Sequence, residues 1–327
     1  MNMSKNLCIL RRCVLTAIAL TLCSGAAMAG WPQDNRPVKI LVPWPAGGAT
    51  DQVARMLAQP LSQALGVPVV VENKAGAGGV LGTQQFVKEK ADSHTLLLAT
   101  SSTNAAAPYL YAKPGFDPAT DFTPVVSLCE IPNVMVVPVK SPWKSLPELV
   151  AAAKKEPGKY TFGSAGIGGS QHLAGAQFKT VSGADVRHVP YKGSGPAAQD
   201  LIAGHIDMMI DTGSLGSIRG GLLRPLAVAS EKRLVALPDV PTFKEAGTPM
   251  LASAWYGLML PANAPADVVV RLNTEVNKIL RNPEINAKLT GMGAIVMGGS
   301  AQEFGRFAVS ELKRYEAIVR DSGAPKE

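Results

Sequence analysis

Twice in this chain a short apolar run empties into a glycine-rich loop and then into a stretch with helical periodicity. The first instance spans Val38 to Leu65. Val38 to Val42 reads as a buried strand, and Val53, Met56, Leu57, Leu61 and Leu65 recur at the spacing of one helix face. Between them lies Pro43-Trp-Pro-Ala-Gly-Gly-Ala-Thr-Asp51, where Gly47 and Gly48 free the backbone and Thr50 or Asp51 can cap the helix. The second instance is Tyr160-Thr-Phe-Gly-Ser-Ala-Gly-Ile-Gly-Gly-Ser-Gln-His-Leu-Ala-Gly-Ala-Gln-Phe178, with its helix starting near Ser170. Unpaired N–H groups at a helix start carry partial positive charge, so each loop is either a plain βα connection or a seat for a carboxylate or phosphate. Two facing seats would hold one small anion between them.

The remaining pattern alternates strands and helices, which is the signature of an α/β architecture. Strands are expected at 67–73, 95–99, 134–138, 186–189, 208–210, 226–229, 255–260 and 294–297. Helices are expected at about 79–88, 145–156 and 266–281, after the turn at 190–196, and along the stripe of Phe304, Phe307, Ala308, Leu312, Tyr315 and Val319. The proline-punctuated stretch 116–124 reads as a loop.

Other stretches carry possible chemistry. The third strand runs into Thr100-Ser-Ser-Thr-Asn104, so Ser101, Ser102, Thr103 and Asn104 either line a site beyond the strand ends or form an ordinary cap and turn. Met208-Met-Ile210 delivers Asp211 at its tip, as a ligand acceptor or as a structural cap. His172 falls in the first turn of the second glycine-loop helix, where it can face a ligand or simply the surface. It has no histidine or carboxylate at i+4, which argues against a metal. Trp44 can stack on a ligand or sit in the core.

Several chemistries are excluded by spacing. Gly76 to Gly82 imitates a dinucleotide fingerprint but has Leu81 where the last glycine belongs. Gly168-Gly-Ser-Gln-His172 and Thr212-Gly-Ser-Leu-Gly216 each lack one glycine of a hydrolase elbow.

The amino terminus is read separately. Lys5, Arg11 and Arg12 precede an apolar run from Val14 to Leu22, and Ala27-Met-Ala29 forms a small-x-small cleavage site, so residues 1–29 read as a secretory signal peptide. Its removal takes three of the 32 Lys and Arg and no acid, leaving a charge of +4, too mild and too scattered for a nucleic-acid binder. It also takes three of the four cysteines. Cys129, among Val125, Val126, Leu128 and Ile131, then reads as a buried structural thiol.

The motifs Pro43 to Asp51, Gly163-Ser-Ala-Gly-Ile-Gly-Gly-Ser-Gln-His-Leu173 and Val189-Pro-Tyr-Lys-Gly-Ser-Gly-Pro-Ala-Ala-Gln-Asp-Leu201 resemble those of the Bug (TctC) family. These are periplasmic solute-binding receptors of tripartite tricarboxylate transporters. Asp121-Phe-Thr-Pro-Val125, Leu237-Pro-Asp-Val-Pro-Thr242 and Trp255-Tyr-Gly-Leu258 extend the resemblance over the mature chain. It implies an α/β, type II periplasmic-binding-protein fold, with two α/β domains around a ligand cleft joined by two crossing strands. Residues 30–133 with 255–327 would form one domain and 134–254 the other. A ligand carboxylate would be gripped at Ala46, Gly47, Gly48, Thr50 and Asp51 and at Ser164, Ala165, Gly166, Gly168 and Ser170. Ser101 to Asn104 and Asp211 would lie near the ligand's variable end. The chain departs from the common family pattern at Asn104-Ala-Ala-Ala107 and at Asp211-Thr-Gly-Ser214, which bears on ligand choice.

The expected protein is a monomeric periplasmic receptor, not an enzyme, with a small carboxylate ligand, transporter membrane subunits as partners, and no cofactor, metal or nucleic acid. The alternatives are a secreted hydrolase or transferase on the same scaffold, and a ligand sensor for a signalling partner.

Overall fold

The computed structural model describes residues 31–32, 35–89, 93–322, 324 and 326. The signal-peptide reading of residues 1–29 lies outside them. Residues up to Arg36 form a unit of their own, and everything that follows concerns Pro37 onward.

The first glycine unit folds as read. Strand β1 (Val38–Val42) leads through the loop to helix α1 (Ala49–Leu65), whose buried face carries Val53, Leu57, Leu61 and Leu65. Strand β2 (Val69–Asn73), helix α2 (Val80–Phe86) and strand β3 (Thr95–Thr100) follow. Beyond β3 the chain makes a widened π-helical turn at Ser102–Ala106 that continues into the short helix α3 (Ala107–Leu110). All five residues of that turn are buried.

The stretch read as a loop through 124 corrects the expectation. Phe122–Pro132 is an eleven-residue strand, β4, even though Pro124 lies inside it. A proline cannot donate to a ladder, and the register against the partner strand shifts beside it, between Leu258 and Met259. Asn133 alone separates β4 from β5 (Val134–Pro138).

Next come α4 (Leu146–Lys155), capped by Ser145, then β6 (Thr161–Ser164), α5 (Ser170–Ser182) and β7 (Arg187–Pro190). After these follow α6 (Ser194–Ala203), β8 (Met208–Asp211), the short α7 (Leu215–Arg219) and β9 (Leu223–Val228). Strand β10 (Ser253–Pro261), helices α8 (Ala266–Arg281) and α9 (Pro283–Gly291), β11 (Ile295–Gly298) and helix α10 (Ala301–Ser322) complete the chain. Helix α9, which apolar spacing did not suggest, starts where the Asn282 side chain accepts from the N–H groups of Glu284 and Ile285.

Two sheets result. One has the order β11-β4-β10-β3-β1-β2 and the other β7-β6-β8-β5-β9. The glycine units enter each sheet through parallel strands, β1 between β2 and β3, and β6 between β7 and β8. Each sheet has its own apolar core, one around Leu97, Phe122 and Trp255 and the other around Met135, Phe178 and Phe243.

The chain passes between the sheets at Asn133 and again between β9 and β10, and the two passages are bonded together. The Asn133 N–H donates to Ala252 O at 2.8 Å, its carbonyl accepts from Ala229 N–H at 2.8 Å, and its side-chain amide donates to Ile210 O at 2.9 Å. Buried polar groups satisfied in this way hold the crossing in one register.

Candidate functional site

The two glycine loops meet. A narrow cavity of about 60 Å³ lies between them, room for a small polar group rather than for a drug-sized molecule. From the first sheet it is lined by Trp44, Pro45, Ala46, Gly48, Ala49 and Thr50, by Thr100, Ser101 and Ser102, and by Ala254 and Tyr256 of β10. The second sheet contributes Ala165, Ser170, Gln171, Gly193 to Pro196 and Thr212. No lining residue among those described is charged.

Three helices begin at this cavity. In α1 the first intrahelical bond is from Gln52 N–H to Gly48 O at 3.0 Å, which leaves the N–H groups of Ala49, Thr50 and Asp51 without helical partners. In α5 it is from Leu173 N–H to Gly169 O at 3.1 Å, leaving Ser170, Gln171 and His172. The third is α6, whose start is tied to the second loop by a Gly193 N–H bond to Ala165 O at 3.1 Å. Three partial positive charges therefore face a space that offers no cationic side chain.

Around this space the halves are in contact through glycines. A side chain on Gly48 would sit 3.2 Å from the Ser194 hydroxyl, and one on Gly193 would sit 3.0 Å from Pro45 Cγ. Farther out, a Cβ on Gly78 would be 2.7 Å from the Ile167 carbonyl oxygen. Such close approaches need residues without a Cβ.

Of the residues singled out from sequence, Trp44, Ala46, Gly48, Thr50, Ser101, Ser102, Ala165 and Ser170 line the cavity. The buried indole N–H of Trp44 has no acceptor among the described residues. The other candidates lie behind the wall or at its mouth, and most hold the wall in shape.

Asp51 does not cap its helix. Its carboxylate accepts from Gly47 N–H at 2.9 Å, from Arg55 at 2.9 Å and from Asn73 at 3.0 Å, while Asn73 also donates to Trp44 O at 3.0 Å. Burial pushes the carboxyl up, but the bonds from Arg55, Gly47 and Asn73 outweigh it and hold Asp51 below its ordinary range. Gly47 thus spends its N–H on Asp51 rather than facing the cavity. Asp51→Ala is expected to destabilise the fold by about 2 kcal/mol, because two partly buried bonds lose their acceptor while the exposed Arg55 adds little. Urea denaturation with an unchanged slope would measure it.

Asp211 is likewise buried behind the lining. It accepts from Gln171 Nε2 at 2.7 Å, Ser214 Oγ at 2.6 Å and Gly213 N–H at 3.0 Å. Gln171 in turn accepts from Ala165 N–H at 3.3 Å. Asp211 therefore orients a wall residue. Thr103 and Asn104 bond each other at 2.7 Å and turn into the core, where the Asn104 amide meets Met259 sulfur at 3.6 Å.

In the second loop Ser164 bonds His188, Gly168 N–H donates to His172, and Gly166 lies at the outer mouth beside Tyr191 and Lys192. Burial lowers the pKa of both histidines, and the neighbouring His172 helps push His188 down to about 4. Below the ordinary histidine value of 6.5 the unfolded chain takes up a proton that folded His188 refuses, so stability falls with pH. The loss should reach about 1–2 kcal/mol between pH 6.5 and 4, less than the full shift implies because the ring is partly open to solvent, with a flat profile above. A series of urea midpoints across that interval tests the sign.

Gln171, Thr212, Tyr256 and the 193–196 segment escaped the sequence reading. Tyr256 sits at the floor, hydrogen-bonded with Thr212 and Thr50. Burial raises its phenol above the usual range, and those bonds pull the other way. The 190–196 stretch did carry a signal, since it repeats the pattern of strand, glycine and helix start.

No group of three His, Cys, Asp or Glu side chains that could hold a metal ion occurs among the described residues. Nor is any helix among them long and apolar enough to cross a membrane.

Known proteins share this arrangement. The chain is similar to Rpa4515 of R. palustris, solved with adipate, at 35% identity over 90% of this chain and 98% of that one, with a TM-score of 0.86. It is similar to the periplasmic binding protein BugD at 33% identity over 90% and 100% of the two chains, with a TM-score of 0.85. MatC (Rpa3494) from Rhodopseudomonas palustris, solved with bound malate, is 32% identical over 87% and 99%, with a TM-score of 0.82. These likenesses bear out the periplasmic-binding-protein fold and a receptor rather than an enzyme. The profile of the tripartite tricarboxylate transporter family receptor, TctC, matches residues 53–324, and the chain belongs to that family.

Proposed function

We propose that this receptor works in the periplasm as a monomer, captures one small carboxylate in the cavity between its two sheets and passes it to the membrane subunits of a tripartite tricarboxylate-type transporter. The observation that carries the reading is the convergence of the α1, α5 and α6 starts on a cavity whose described lining has no charge. An anion there is neutralised by backbone dipoles, and each hydrogen bond to a carboxylate contributes about 1.5–3 kcal/mol. Roughly four such bonds reach the −8.2 kcal/mol of micromolar affinity before closure costs are subtracted.

In this reading the first sheet and its helices, from Pro37 to Asn133 and from Trp255 onward, move as one domain and 134–254 as the other, hinged at Asn133 and its bonded partners. The cavity's donors come from both, so a ligand favours the closed arrangement by its differential contacts with it. The bound structures of Rpa4515 and MatC support an aliphatic diacid as the first probe.

A thermal-shift panel of mono-, di- and tricarboxylates, aromatic acids and acidic amino acids tests the proposal. A ligand at a hundred times its Kd should add about 2.7 kcal/mol, or roughly 5 °C in Tm. Chromatography should recover it unchanged. A flat panel contradicts the carboxylate reading, and product formation contradicts the receptor.

A further inference from the structure

The loop between β6 and α5 is held from behind by two imidazoles. The Gly168 N–H donates to His172 Nδ1 at 3.2 Å, and the Ser164 hydroxyl lies 2.6 Å from His188 Nε2. Ser164 also donates to Gly166 O and accepts from Gly166 N–H, both at 3.1 Å. Its proton is thus given to the loop, and His188 Nε2 is the donor to it. The two rings stack at 4.3 Å and 20°, and Phe162 stacks on His188 at 4.8 Å and 23°.

This support differs in kind from that of the first loop, which hangs on the Asp51 carboxylate and stays charged down to low pH. His172 Nδ1 can accept from Gly168 only while it carries no proton. Once protonated, it would point an N–H at an N–H, next to a second ring that can also charge. We infer that His172 and His188 are positioning residues for the α5 seat, and that they make ligand capture proton-sensitive, with acid unlatching the 164–170 loop and weakening the grip.

The surroundings agree. The groups described as facing the rings are the Ser164 hydroxyl, the Gly168 N–H and the Phe162 ring, on β6 and the loop. No carboxylate or cation among the described residues is bonded to either ring. On α10, which packs along α5, Glu303 is bonded to Ser300 and Glu311 to Arg314. Burial in this apolar surrounding disfavours charge on both histidines. A bound anion would attract a protonated ring, which acts in the opposite direction, so the sign of the pH dependence discriminates.

The inference rests on the carboxylate reading of the cavity, and its test separates the two. Affinity for adipate, malate or whichever panel carboxylate binds tightest at pH 7.5 is measured at pH 7.5 and 5.0. The wild-type chain is compared with His172→Asn/His188→Gln, whose amides keep an acceptor and a donor near the same places without titrating. Wild-type Kd should rise at least twofold more than that of the variant, most of it through His172. Equal pH dependence, or tighter wild-type binding in acid, overturns the latch alone, whereas no binding of any panel member at pH 7.5 overturns the reading beneath it. If the variant does not fold, ring ¹⁵N shifts of the wild-type chain decide: both rings should charge at lower pH when the carboxylate is bound than when it is absent. Identical titrations in the two states overturn the proposal.

Discussion

Gly48→Val is expected to abolish carboxylate binding, weakening it by at least about a hundredfold, while leaving the fold in place. Gly48 has φ −76° and ψ 172°, extended backbone open to any residue, so the substitution introduces no backbone strain. A branched residue at the α1 N-cap costs about 1 kcal/mol relative to a better cap, a small share of total stability. The effect at the cavity is far larger. The new Cβ alone would lie 3.2 Å from Ser194 Oγ, and its methyls would fill the space before the free N–H groups of Ala49 and Thr50. Titration calorimetry against the wild-type ligand, beside a thermal melt of the ligand-free protein, measures both halves. Wild-type affinity in the variant would mean that the α1 start is not a seat.

The second large effect concerns closure rather than the seat. Gly78→Ala is expected to weaken binding by a comparable factor although residue 78 lies outside the inner cavity. Gly78 has φ 59° and ψ 23°, which costs alanine about 1–2 kcal/mol. Its Cβ would lie 2.7 Å from the Ile167 carbonyl oxygen, a rigid backbone atom contributed by the other sheet's loop. The loops must separate to admit it, and the bonds that need both halves are stretched together. Small-angle scattering with saturating carboxylate should show the wild-type chain contracting and the variant remaining expanded. Equal contraction of both would place the closing contact elsewhere.

Both glycine units were legible in the residues because apolar run, glycine loop and helical period agree with one another at each. The β1–α1 and β6–α5 boundaries follow from that agreement, as does the amphipathic α8. What spacing could not supply is which side chains turn inward. Asp51 and Asp211 stand at helix and strand tips, where acids can meet ligands, yet both accept several bonds from the protein's own groups. Their partners Asn73 and Gln171 are 22 and 40 residues away in sequence, a distance that local pattern does not encode. Tyr256 reaches the floor because β10 inserts antiparallel between β3 and β4, a pairing between residues more than 120 apart. Strand β4 was hidden for a different reason. Its Pro124 violates strand chemistry locally, and the register shift against β10 accommodates it only once the sheet is assembled.

The central claim is that backbone N–H groups from two sheets, without help from a charged side chain, hold one carboxylate. A crystal structure of the mature chain with the tightest-binding acid of the panel tests it most directly. The account predicts carboxylate oxygens about 3 Å, directly or through one water, from N–H groups at the starts of both α1 and α5. A carboxylate resting on a lysine or arginine, or one that touches the loop of a single sheet, would contradict it.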